Sequence, residues 1–182
     1  MRFRFWNMPN SVTFLRVLCV PALWVLALLN LNHIFILVFT FAGFTDAADG
    51  YLARRLRQTT AFGAWFDSFA DNLVAISLLP WFWLLLNEFV ITHLTTLLVI
   101  LTLFVLNLVV GMLKFKRMIH YHLYSSKLST MLLYVFTLHA LVFFPNDFFF
   151  ISVAVLVAMN QAEEIVATVL HKKIDTSRNT FL

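Results

Sequence analysis

Asp46-Ala47-Ala48-Asp49-Gly50-Tyr51-Leu52-Ala53-Arg54, followed after eight intervening residues by Gly63-Ala64-Trp65-Phe66-Asp67-Ser68-Phe69-Ala70-Asp71, sets four carboxylates inside sequence that is otherwise apolar enough to lie in a bilayer. A charged side chain at the centre of a membrane helix costs roughly 2.5–3.5 kcal/mol even on the lenient insertion scale. Four together cost on the order of 10 kcal/mol unless a cation receives them. Divalent metal answers that requirement, because hard cations take oxygen ligands and need several carboxylates for neutrality.

The surrounding chain makes the bilayer reading firm. Its 182 residues are 62% hydrophobic and 12% charged, with mean hydropathy +0.87, far more apolar surface than a soluble domain of this size can bury. The apolar runs are continuous, not alternating, which excludes a β-barrel and predicts an all-α bundle. Six transmembrane helices are expected, over about 11–30, 34–57, 60–86, 89–113, 127–144 and 148–170, forming a single domain across 1–182. The connectors at 30–32, 87–88 and 145–147 carry no Lys or Arg. The basic residues fall at Arg2 and Arg4, at Arg54, Arg55 and Arg57, at Lys114, Lys116, Arg117 and Lys127, and at Lys172, Lys173 and Arg178. With six spans all four groups share one side, so the positive-inside rule makes both termini cytoplasmic. Arg16, near the start of the first span, is left over. The net charge of +4 fits anionic headgroups at these juxtamembrane clusters better than nucleic acid. Asn10, Arg16 and Pro21 interrupt the first apolar run, so the N-terminus reads as an interfacial anchor in preference to a cleaved signal. Cys19 is alone, which excludes an intrachain disulfide.

The acids are spaced for one cavity. Gln58 lies at the turn between the second and third spans; Asp49 and Asp67 are each nine positions from it, Asp46 and Asp71 twelve and thirteen. In an antiparallel hairpin these pairs form two rungs, about 5 Å apart in depth. Asp46, Asp49, Gly50 and Ala53 share one helix face, and Gly63, Asp67 and Asp71 another. Asp46 lies about 12 Å below Arg54, within reach of the cytoplasm. Gly50 and Gly63, two of only four glycines, remove bulk beside the acids, although Gly50, Ala53 and Gly63 equally suit plain helix packing. Arg54 suits either a ligand or a snorkelling position.

All eight specified positions of this pattern (Asp46, Asp49, Gly50, Ala53, Arg54, Gly63, Asp67, Asp71) match the signature of the CDP-alcohol phosphatidyltransferases, which the chain resembles. The stretch Pro9-Asn10-Ser11-Val12-Thr13-Phe14-Leu15-Arg16 also resembles that family. The resemblance implies that an alcohol attacks the lipid-bearing phosphorus of CDP-diacylglycerol and CMP leaves. It implies two divalent ions, Mg2+ or Mn2+, with Asp46, Asp49, Asp67 and Asp71 as metal ligands and Asp71 also as general base. Gly50, Ala53, Arg54 and Gly63 would line the CDP site. It also implies a homodimer in a bacterial inner membrane, with the site facing the cytoplasm. Asn10 is a further CDP-site candidate, touching metal or phosphate, or else an N-cap, as is Ser11.

The acceptor is less legible. A phosphorylated alcohol needs cations beyond Arg54, and Lys114, Arg117 and Lys127 offer them, unless they are only positive-inside anchors. Lys127, in Ser125-Ser126-Lys127-Leu128-Ser129-Thr130, resembles the lysine of phosphatidylglycerophosphate synthases, so glycerol 3-phosphate is the expected acceptor. Ser68 and Asn72 depart from the proline and lysine common in those enzymes, leaving serine, inositol phosphate, choline and phosphatidylglycerol as alternatives. His120 and His122 sit in the same basic loop without sharing a helix face. Glu163 is expected to pair with a basic residue or to shape the acceptor site. A metal or proton transporter built on buried acids is the competing class; acids confined to one hairpin near one surface argue against it.

Overall fold

The protein is described by a computed structural model over residues 7–56, 60–115 and 124–170. Every regular element there is an α-helix: α1 (Met8–Leu28), α2 (Asn32–Arg55), α3 (Ala61–Leu85), α4 (Asn87–Thr92), α5 (Leu94–Phe115), α6 (Tyr124–Val142) and α7 (Asp147–Leu170). Five of them (α1, α3, α5, α6 and α7) are long and apolar enough to cross a membrane, which makes this a polytopic integral membrane protein. In α2 the stretch Asn32–Asp46 is apolar on average, and the sequence beyond it brings Asp49, Arg54 and Arg55. The expected fourth span is broken at His93 into α4 and α5. At this turn the His93 ring meets the Asp147 carboxylate at 3.0 Å and packs against Phe89 and Phe150.

Contacts divide the chain into two compact units, residues 1–87 and 88–182. In the first unit α1 packs along both α2 and α3. Its buried face is a helical stripe, Pro9, Asn10, Thr13, Arg16, Val20, Leu23 and Ala27, polar near its start and apolar beyond. The turn into α2 is a Schellman motif. Asn30 takes the left-handed conformation at φ 54°, the Asn30 N–H donates to Ala27 O, and the Leu31 N–H donates to Leu26 O. Asparagine tolerates that backbone better than most residues. At the apolar end, fully buried Trp81 of α3 sits edge-on to Phe35 and Phe39 of α2 and to Trp24 of α1, whose Nε1 donates to Ser77 Oγ at 3.1 Å. This aromatic knot locks the three helices together.

In the second unit α7 packs on α5 and α6. An aromatic group of Phe89, Phe136, Phe149 and Phe150 fills one end. A polar clasp fills the other. Glu164, 4% exposed, accepts hydrogen bonds from Asn107 Nδ2 and Ser126 Oγ, both at 2.6 Å.

Trp81→Ala should remove the largest buried side chain of the first unit, at a cost of about 3–5 kcal/mol. Thermal unfolding of the purified protein in detergent should show a markedly lower midpoint, and an unchanged midpoint would contradict the knot.

Candidate functional site: three carboxylates around a buried arginine

The start of α1 is set by its own sequence. The Asn7 side chain accepts from the Asn10 N–H at 2.9 Å, Pro9 occupies the first turn, and Thr13 Oγ1 donates to Pro9 O. Asn7 is therefore the N-cap, which corrects the expectation that Asn10 or Ser11 fills that position. Asn10 instead lies inside the helix, 5% exposed. α3 starts in the same way, with Thr60 Oγ1 accepting from the Gly63 N–H at 2.9 Å.

These two helix starts touch. A Cβ placed on Gly63 would lie 2.7 Å from Asn10 Oδ1 and 3.0 Å from Thr60 Oγ1. A side chain at 63 would push the Asn10 carboxamide aside, so two residues expected at the CDP site lie in direct apposition.

One to two helical turns deeper, three of the motif's carboxylates converge. Oxygens of Asp46, Asp67 and Asp71 all lie within 4.8 Å of one another, a grouping able to hold a metal ion. Asp46 comes from α2, about 13 Å from its C-terminal end, and Asp67 and Asp71 from one face of α3, about 9 and 15 Å from its start. The opposed faces inferred from the spacing are thus realised for these three. Asp49, Gly50, Ala53 and Arg54 belong to α2, but their side-chain surroundings lie outside the described residues, as does Arg117.

The feature that motif reading missed is Arg16. Its Nη1 lies 2.8 Å from Asp46 Oδ1 and 3.2 Å from Asp67 Oδ1, and it also donates to Asp71 Oδ1. The guanidinium comes up from α1, buried to 3% exposure, while the three carboxylates keep 50%, 41% and 43%. The cation forms the floor and the acids remain open on the other side. A signal for this was present in the sequence. Arg16 follows Asn10 and Thr13 at intervals of three, on one helix face, and an arginine inside an apolar span calls for a carboxylate partner.

Hard oxygen donors at this spacing suit a divalent cation, which takes oxygens at about 2.0–2.6 Å. A nitrogen cation already standing at the focus demonstrates that the oxygens are arranged to surround positive charge. Three carboxylates against one guanidinium leave a formal charge of −2, a deficit that such an ion makes good.

The residues expected at the acceptor site do not form a comparable cluster among the described residues. Lys114 Nζ donates to Val169 O at 2.7 Å, satisfying a carbonyl at the end of α7. Lys127 is exposed on the first turn of α6. Glu163 accepts from Ser125 Oγ at 2.8 Å and meets no base among the described residues, and its neighbour Glu164 is the buried one.

Apolar helices long enough to span a membrane, around an acidic site, define a class, and comparison with known proteins gives the family. The CDP-alcohol phosphatidyltransferase profile matches residues 6–170, and the chain belongs to that family. Similar proteins include CDP-diacylglycerol--glycerol-3-phosphate 3-phosphatidyltransferases from three bacteria. That of Pseudomonas fluorescens is 50% identical over 76 residues, covering 40% of this chain and 39% of the relative. That of Haemophilus influenzae is 40% identical over 76 residues, 40% of this chain and 41% of the relative. That of Wigglesworthia glossinidia brevipalpis is 37% identical over 73 residues, 38% of this chain and 40% of the relative. The matched stretches therefore span about two fifths of the length of each relative. No solved structure matches the chain.

Gly63→Ala should displace the Asn10 carboxamide and reduce nucleotide binding. Combined with Asn10→Ala, the second change should cost far less than it does alone. A double-mutant cycle on CDP-diacylglycerol binding should therefore show strong non-additivity, whereas additive losses would mean the two residues act independently.

Proposed function

We propose that this protein transfers the phosphatidyl group of CDP-diacylglycerol to glycerol 3-phosphate and releases CMP. The convergence of Asp46, Asp67 and Asp71, in a chain of this family, is the observation that carries the reading. The names of the bacterial relatives favour the acceptor.

Asp46, Asp49, Asp67 and Asp71 would hold two divalent ions, Mg2+ or Mn2+. Bound there, the ions would offset the diphosphate charge and stabilise negative charge on the departing CMP. The chain's own groups do the rest. Asn10, Gly50, Ala53, Arg54 and Gly63 orient the CDP moiety, with Arg54 suited to bidentate contact with phosphate oxygens. Asp71 accepts the proton of the acceptor hydroxyl as its oxygen bonds to the lipid-bearing phosphorus. The bond from that phosphorus to the CMP oxygen breaks, and CMP takes the electron pair. Lys114, Arg117 and Lys127 supply cations for the acceptor's phosphate, Lys114 by leaving its carbonyl partner.

The surrounding organisation is part of the same proposal. α2 completes six spans, both termini face the cytoplasm, and the chain is one domain, as a family match running through both units supports. It works as a homodimer in a bacterial inner membrane, with its site open to the cytoplasm.

Purified protein given CDP-diacylglycerol and Mn2+ or Mg2+ should release CMP with glycerol 3-phosphate, and not with serine, inositol phosphate, choline or phosphatidylglycerol. Transfer to serine alone would overturn the acceptor and keep the chemistry. Asp71→Asn should lower kcat by at least about 10²-fold while CDP-diacylglycerol still binds; near-normal turnover would remove Asp71 as the base.

A further inference from the structure

We propose that Arg16 is an internal placeholder cation. In the metal-free protein its guanidinium holds the point between Asp46, Asp67 and Asp71 that a divalent ion takes on binding, and the two exclude each other there. The inference rests on the metal reading above.

Geometry supports it first. Nη1 carries two hydrogens, yet three carboxylate oxygens close on it, from Asp46, Asp67 and Asp71. Two can be served by hydrogen bonds and the third is held by charge alone, which is how oxygens gather round a spherical ion and not how a guanidinium fork normally meets carboxylates. Oxygens within 4.8 Å of one another are close enough to ligate one divalent ion with little movement. Nη1 meets the Oδ1 atom of each of these residues, 2.8 and 3.2 Å from those of Asp46 and Asp67. An ion bound to the same three atoms would overlap the nitrogen, so the guanidinium must retreat before the ion can settle.

Electrostatics gives the reason for such a group. Like charges a few ångströms apart repel far more strongly beside apolar helices than they do in water. Three carboxylates left without a cation between apolar helices would therefore drive α2 and α3 apart. A cation tethered to α1, which packs on both helices, keeps the acids gathered when no metal is present. The half-exposed side of the carboxylates leaves a path for the ion to arrive opposite the arginine. Metal binding is thereby linked to withdrawal of one side chain, and metal affinity is set by how firmly Arg16 is held.

The test uses the intact protein in detergent without substrate. Free Mn2+ is followed by its electron paramagnetic resonance signal, and the thermal midpoint is measured with and without the ion. Arg16→Met should bind Mn2+ about tenfold tighter than the unaltered protein. Its metal-free midpoint should fall, and the rise on adding Mn2+ should grow. Arg55→Met removes a charge at the end of α2, nine residues from Asp46, so its effect should be small and vanish at high salt, whereas that of Arg16→Met should persist. Should Arg16→Met not fold without metal, Arg16→Gln, which can still donate to the acids, should show the same tightening. Unchanged or weaker Mn2+ binding in Arg16→Met and Arg16→Gln, with binding by the unaltered protein intact, would overturn the placeholder alone. Absence of Mn2+ binding in all forms, or binding indifferent to Asp46→Asn, would overturn the metal reading and the placeholder with it.

Discussion

Carboxylates embedded in apolar helices must face positive charge, and that requirement organises the first half of this protein. Asp46, Asp67 and Asp71 come from two helices, and the buried Arg16 side chain of a third meets all of them. Breaking such a set by removing one member strands uncompensated charge, which costs several kcal/mol. The helices are therefore constrained in register as well as proximity. Arg16 must stand at the depth where the faces of α2 and α3 present their acids, and the turns and caps of the unit deliver it there.

Caps and knot act at opposite ends to set that depth. Asn7 and Thr60 begin α1 and α3, and Asn10 and Gly63 bring the two starts into contact. At the far end Trp81 gathers Trp24, Phe35 and Phe39. Between these fixed points the polar layer has little freedom to slide. The small residue at 63 is thus a positioning feature, since a Cβ there would displace the Asn10 carboxamide.

The second unit handles a buried acid differently. Glu164 is enclosed by neutral donors, Asn107 and Ser126, with Asn160 and Gln161 extending the network. Such a clasp satisfies a polar group inside apolar helices and ties α7 to α5 and α6. The acids around Arg16 keep about half their surface open, while Glu164 is closed over. Openness separates a group positioned to take a ligand from one that holds helices together. The adjacent Glu163 stays exposed, while α7 turns Glu164, in line with Val157 and Asn160, towards its neighbours.

Composition and spacing alone determined the helical membrane class, the approximate helix positions and the shared face of Asp67 and Asp71, because lipid forbids unsatisfied backbone and helical periodicity is invariant. The eight-position motif likewise identified the family. Only the tertiary structure decided which cation the acids meet, because Arg16 lies thirty residues from the nearest of them and its partnership depends on how α1 packs. The contact of His93 with Asp147, at the start of another helix, was equally hidden. Local pattern specifies what each helix presents; which faces meet, and at what depth, is settled by packing between segments that sequence distance does not encode.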